Sequence, residues 1–178
     1  MGQYYKPTIL GRNKKTVKAW VYSHDYGSGL KLMEHSWILN EFVGAFESML
    51  LPHGKFYKSP VVWAGDYADE EEGSKTNVYS RCKDKNKLEP HKGMIDPIYR
   101  YLVNHTKKQY VDKMEVPDKD DWRIHPLPLL TCEGNGRGGG DFRSEDPNSM
   151  IGSWARDVIS IEKVIPEKYE KIVFDLVE

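Results

Sequence analysis

The densest chemical signal in the chain is Glu133-Gly134-Asn135-Gly136-Arg137-Gly138-Gly139-Gly140-Asp141, which puts five of the 15 glycines into residues 134–140. Glycine costs about 0.5–1 kcal/mol against alanine inside regular structure, so this density marks either a plain surface loop or a backbone that must come close to something. Successive bare N–H groups form a nest for an anion, and Arg137 can close on a phosphate or carboxylate with its forked donors. The chemistry indicated is a phosphate cradle built by Asn135, Gly136, Arg137, Gly138, Gly139, Gly140 and Asp141. It is not a Walker loop, since no Gly-Lys-Ser/Thr follows, and G-x-G-x-x-G is met only loosely by Gly134, Gly136 and Gly139.

Two further clusters carry chemistry. In Trp63-Ala64-Gly65-Asp66-Tyr67-Ala68-Asp69, Asp66 and Asp69 leave the end of an apolar segment, where metal or substrate ligands are often placed. Trp63 and Tyr67 offer rings to a base or sugar, whereas Glu70, Glu71 and Glu72 read as a solvated acidic loop. In Ser23-His24-Asp25-Tyr26 and Glu34-His35-Ser36-Trp37, histidine beside acid suits a general base and its orienter, or part of a hard metal site. Neither has H-E-x-x-H spacing, and a histidine at a helix start more often orients backbone than performs catalysis. Cys82 and Cys132 stand 50 residues apart without a C-x-x-C, which points to reduced thiols and not to a disulfide framework or a structural zinc site.

These residues need elements to hold them. Alternation predicts strands over Tyr4–Leu10 and Thr16–Tyr22, joined as a hairpin, then Pro60–Ala64, a second hairpin from Ile98–Val103 and Gln109–Val111, and further strands at Leu127–Thr131, Ser153–Ile161 and Tyr169–Val177. Apolar residues at i, i+3, i+4 spacing predict one long amphipathic helix from Glu34 to Leu51, with Ser36 as N-cap and Pro52 and Gly54 as its stop. Residues 74–97 are polar and aperiodic, a surface excursion. About eight strands and one helix make an α+β fold with a mainly antiparallel sheet, in a single domain over residues 1–178.

Two pairs of motifs repeat at nearly one offset: Lys14-Lys15 with Lys107-Lys108, and Trp63-Ala64-Gly65-Asp66 with Trp154-Ala155-Arg156-Asp157. The offsets of 93 and 91 residues suggest an internal pseudo-duplication of residues 1–90 and 91–178, with chance as the plain alternative. A pseudo-twofold relation would bring Asp66 near Asp157.

With 178 residues, 39% of them apolar, the chain supports one ordinary core. Its 26 basic and 27 acidic residues give a net charge of −1, which argues against direct nucleic-acid binding through a polybasic surface. The charges are segregated, however: Lys6, Arg12, Lys14, Lys15 and Lys18 have no acid among them, and Asp66, Asp69, Glu70, Glu71 and Glu72 have no cation. No apolar run reaches the roughly 18–20 residues of a membrane span, and the N-terminus lacks the apolar stretch of a signal peptide, so a cytoplasmic protein is expected.

Taken together, MGQYYKPTIL, GLKLMEHSW, VVWAGDYAD, YLVNHTKKQYVD, GNGRGGGDF and GSWARDVISI resemble a family of small uncharacterised proteins of gut bacteria, their mobile elements and phages. The resemblance implies no activity for any residue. It implies a setting in which small proteins bind a host factor or sequester a nucleotide signal. Three functions are therefore expected in competition. The first is a binding protein for a small anionic ligand, a nucleotide or phosphate ester, with the glycine-rich residues on the phosphate and Trp63, Asp66 and Tyr67 on the base or sugar. The second is an interaction module that inhibits a host defence complex through its opposed charged segments. The third is a metal-dependent phosphoester hydrolase using His24, Asp25, His35, Asp66 and Asp141, with Asp69 as a further candidate ligand. No cofactor is indicated, and the partner is a small anionic ligand or a host protein.

Overall fold

The computed structural model describes residues 2–93, 95–134 and 149–175. The architecture is α+β with a mainly antiparallel sheet. The strands are β1 (Tyr5–Leu10), β2 (Val17–Trp20), β3 (Ser59–Gly65), β4 (Tyr101–Asn104), β5 (Gln109–Asp112), β6 (Asp118–Lys119), β7 (Trp122–Arg123), β8 (Cys132–Glu133), β9 (Val158–Glu162) and β10 (Glu170–Lys171). The α-helices are α1 (Glu41–Ser48), α2 (Val78–Arg81) and α3 (Pro126–Thr131). The main sheet runs β10-β5-β4-β9-β3-β1-β2, with β8 added beside β3 and the β6–β7 hairpin apart from it. A hairpin lies on each side of the antiparallel β3–β9 pair, β1–β2 beside β3 and β4–β5 beside β9, and β10 extends the sheet beyond β5.

β3 reads Ser-Pro-Val-Val-Trp-Ala-Gly and is buried along almost its whole length. A strand covered on both faces loses the apolar-polar alternation and shows a continuous apolar run. On one face, Trp63 packs edge-on against Phe42 and Phe46 of α1, at 6.0 and 5.1 Å between ring centres. On the other, Val62 and Ala64 join Leu10 and Val78, so α2 covers a second, smaller cluster.

The long helix predicted from Glu34 to Leu51 is not formed. Only Glu41–Ser48 is α-helical, capped by Asn40, whose side chain accepts from the Val43 amide, and not by Ser36. The apolar spacing upstream serves other geometry. Leu32–Glu34 makes a 3-10 turn, Trp37 bridges to Ile124, the Ile38 amide donates to the Arg123 carbonyl, and Leu39 takes a left-handed φ of 74° that breaks any helix. A second correction concerns Leu127–Thr131, expected as a strand and folded as α3. Pro126 occupies its first turn and His125 Nδ1 accepts from the Leu127 amide, two start signals that outweigh an apolar run too short to discriminate. Two predicted strands also shrink, Ser153–Ile161 to β9 and Tyr169–Val177 to β10 within the described residues. The excursion at residues 74–97 holds α2, from which Val78 reaches the core.

One buried charge links three elements. Glu47 of α1, 4% exposed, receives Lys113 Nζ at 2.5 Å, and His125 Nε2 lies 3.0 Å from the same oxygen without the alignment of a hydrogen bond. Burial by itself raises the Glu47 pKa, but the charges and contacts of His125 and Lys113 outweigh it and hold the carboxyl at about 2. Removing one member of such a group strands the others in the interior. Glu47→Gln is expected to destabilise the fold by about 3–5 kcal/mol in urea titration at pH 7. Because the carboxyl titrates lower when folded, its contribution is complete above pH 4.5 and lost as pH falls toward 2, and the variant lacks that acid-dependent loss.

Candidate functional site

The parallel pairing of β8 with β3 decides where the sequence-predicted segments lie. Trp63 pairs with Cys132 and Ala64 with Glu133, so both strands point the same way and end side by side. Beyond β3 come Gly65-Asp66-Tyr67; beyond β8 comes Gly134, where the glycine-rich sequence begins. Asn135, Gly136, Arg137, Gly138, Gly139, Gly140 and Asp141 lie outside the described residues. Close approach explains the two flanking glycines: a Cβ on Gly65 would sit 2.5 Å from the Glu133 carbonyl oxygen, and one on Gly134 2.2 Å from Gln3 Oε1. At Gly65 the obstacle is backbone and leaves no room for a side chain; at Gly134 it is the tip of the Gln3 side chain.

Asp66 is fixed at this edge. Its Oδ1 accepts from the Tyr4 amide at 3.0 Å, its own amide donates to the Tyr4 carbonyl, and Asn77 Nδ2 holds the carbonyls of Asp66 and Ala68. Tyr4 and Tyr67 are exposed on either side of it, and Asp69 is exposed as well. The pleat of the chain sends Gln3 and Tyr5 to the face where Gly134 departs, and Tyr4 to the opposite face with Asp66. The strand ends thus present both faces of the sheet at one edge.

Trp63 does not belong to that surface. It is wholly buried, and its indole N–H donates to His35 Nε2 at 2.9 Å. His35 in turn uses Nδ1 toward the Gly29 carbonyl at 3.0 Å, which fixes the tautomer with hydrogen on Nδ1. Burial, only partly offset by the Gly29 carbonyl and Glu34, lowers the His35 pKa to about 4. Both are core residues, and neither is open to a ligand. His24 is an exposed residue whose Nδ1 lies 3.1 Å from the Tyr22 hydroxyl, while Asp25 pairs with Lys87 at 2.8 Å. Asp25 also lines a surface cleft of about 420 Å³ with Tyr26, Glu41 and His91, whereas His35 is buried. Among the described residues, no three His, Cys, Asp or Glu side chains converge as a metal site. Asp157 also stays apart from Asp66: its carbonyl accepts from Val61, about five residues or roughly 16 Å back along β3.

The residue that sequence reasoning missed is Arg156. Its guanidinium binds Glu133 through Nε at 2.8 Å and Nη2 at 2.5 Å, grips Glu71 through Nη1 at 3.1 Å and through Nη2, and donates from Nη1 to the Lys14 carbonyl at 3.1 Å. Desolvation works against the charge of Arg156, but the two carboxylates outweigh it and raise its pKa; Arg156 in return lowers that of Glu71. The arginine thereby clamps the last residue before the glycine-rich sequence to the acidic loop after β3. Through the Lys14 carbonyl it also ties the turn of the first hairpin to the acidic loop. The signal was present in Trp154-Ala155-Arg156-Asp157, but the partners lie 23 and 85 residues away.

Arg156→Ala is expected to destabilise by about 2 kcal/mol, less than a fully buried pair because the site is partly solvated, and to speed hydrogen exchange at Glu133 and Gly134. His35 gives a separate acid signature. Folded, it resists protonation down to about pH 4, whereas the unfolded chain binds a proton near pH 6.5, so stability falls as pH drops from 6.5 to 4, by about 3 kcal/mol in all. His35→Gln is expected to remove that slope in denaturant titrations. Compared with family models, curated proteins and solved structures, the chain matches none, so its function is argued from the site itself.

Proposed function

We propose that the chain binds a small anionic ligand, a nucleotide or phosphate ester, across the carboxyl ends of β3 and β8. The observation that supports this reading is the parallel β3–β8 pairing, which starts the glycine-rich sequence beside Gly65-Asp66-Tyr67. Ligands in α/β sheets gather at the carboxyl ends of parallel strands, where loops can vary without disturbing the sheet. The ring contact first expected of Trp63 falls instead to the exposed Tyr67 and Tyr4. Asp66, whose Oδ1 takes the Tyr4 amide, has its second carboxylate oxygen for a sugar hydroxyl. Because Arg156 is already neutralised by Glu71 and Glu133, the phosphate charge is the task of Arg137 and the glycine amides.

For the interaction-module reading, Arg156 withdraws Glu71 from the acidic loop, while Arg12, Lys15, Lys18, Asp69, Glu70 and Glu72 stay exposed. The test is calorimetry of the full chain with AMP, ADP, ATP and GTP. At least one is expected to bind. Arg137→Ala is expected to weaken that binding about tenfold or more, as for loss of a charge-assisted hydrogen bond, and Tyr67→Ala about fivefold or more through lost stacking. Absence of binding by all four, or two variants with unchanged affinity, removes the proposal.

A further inference from the structure

Leu39, at the entry to α1, is held in two ways that a leucine resists. The Asn40 amide closes a turn onto the Trp37 carbonyl at 3.1 Å, and Leu39, the third residue of that turn, has a φ of 74°. Such a position favours glycine or asparagine, because a Cβ there crowds the backbone. Leu39 is also 94% exposed, the highest value of any large apolar residue described. An exposed leucine alone needs no explanation. One that also carries a strained backbone, and leaves its side chain almost wholly in water, is placed for contact with another surface.

Beside it lies a cleft. Glu41 follows two residues later, with its Cα no more than about 7 Å away. It lines a surface cleft of about 420 Å³ with Asp25, Tyr26, Pro90, Lys92 and Gly93. The cleft is held in shape. Tyr26 packs on Phe42 of α1 at 5.7 Å between ring centres, and its hydroxyl accepts from the His91 amide at 3.1 Å. His91 Nε2 lies 2.9 Å from the Ala45 carbonyl oxygen, and a Cβ on Gly93 would meet the Gly44 carbonyl oxygen at 2.3 Å, so both residues are seated directly on α1. Tyr26, Pro90 and Gly93 offer apolar surface to a leucine. Asp25 is neutralised by Lys87, whereas Glu41 and Lys92 are exposed and have no ion-pair partner among the described residues.

We propose that this face joins two copies of the chain as a twofold dimer, with Leu39 of each copy seated in the cleft of the other. A twofold contact needs a surface that complements itself, and a knob a few residues from its hole meets that need. The charges agree with it, since Glu41 of one copy can meet Lys92 of the other across the axis. The contact is small and bordered by charge, so the dimer is a weak one. None of its residues belongs to the nucleotide reading.

Sedimentation velocity of the full chain is the test. The protein is expected to pass from monomer to dimer between about 1 and 500 µM. Leu39→Gly is expected to raise the dissociation constant about tenfold or more. The same variant is expected to leave the melting temperature of the dilute monomer unchanged or raised by about 1–3 °C, because glycine adopts the left-handed φ freely. Glu41→Lys and Lys92→Glu are each expected to weaken the dimer about fivefold or more, and their combination to restore it. A chain that stays monomeric throughout assigns Leu39 to a different occupant and overturns the proposal. So does a dimer indifferent to Leu39→Gly or to the charge reversals, or a melting temperature lowered by Leu39→Gly, which makes Leu39 a structural residue.

Discussion

The structure depends on satisfying both edges of β3. A strand buried on both faces cannot turn to water, so every amide and carbonyl along it needs a partner. β1 supplies one edge over five consecutive registers, from Tyr5 opposite Gly65 to Ile9 opposite Val61. The other edge is shared by three pieces of chain. β9 covers Ser59 and Pro60; at Val61 the Arg156 amide donates to its carbonyl and the Asp157 carbonyl accepts from its amide; β8 covers Trp63 and Ala64. The changeover between antiparallel β9 and parallel β8 falls at Arg156, which takes a left-handed φ of 66° to make it. A non-glycine residue in that conformation is strained, and its three-way hydrogen bonding to Glu71, Glu133 and the Lys14 carbonyl offsets the strain.

Charge is handled by the same logic of enclosure. Two acids that leave water do so with a cation pressed on each: Glu47 with Lys113, beside the His125 ring, and Glu71 with Arg156 at the strand ends. Neither arrangement adds much stability over an apolar replacement, but each makes separation of its elements expensive. Glu47 therefore fixes α1 against the start of α3 and the turn after β5, and Arg156 fixes the acidic loop against β8. A net charge near zero conceals this, because it does not show which acids are enclosed with a cation.

Much of the sheet was legible and much of the helical structure was not, for definite reasons. The hairpins β1–β2 and β4–β5 and the apolar β3 declare themselves through alternation, β-branched residues and turn signals within a few positions. From Glu34 to Leu51 the apolar spacing is equally regular, yet a 3-10 turn, a bridge to Ile124 and a left-handed Leu39 use it up before α1 begins. Five consecutive buried residues in Leu127–Thr131 have no periodicity to betray a helix. At the candidate site, Asp66 and Tyr67 were visible as the polar exit from an apolar strand. Whether an aromatic ring faces ligand or core depends on which side of the pleat the helix packs, so Trp63, a candidate ring for a base or sugar, and His35, a candidate base or metal ligand, belong to the interior. Arg156 was hidden because its role is set by carboxylates far away in sequence.

These placements also bear on why the glycine-rich sequence begins where it does. A segment with so many glycines loses much conformational freedom if a ligand orders it, and that cost weakens binding unless part of the segment is fixed beforehand. Glu133 is such a fixed point, paired in the sheet to Ala64 and clamped by Arg156. Gly134 follows beside the side-chain ends of Gln3 and Tyr5, close to where β1, β3 and β8 meet. The side chains that would meet the rest of a ligand, Asp66 and Tyr67, extend from the neighbouring strand of the same rigid pair. On the proposed reading, Arg156 would act on binding through Glu133, by fixing the point from which the glycine-rich sequence starts.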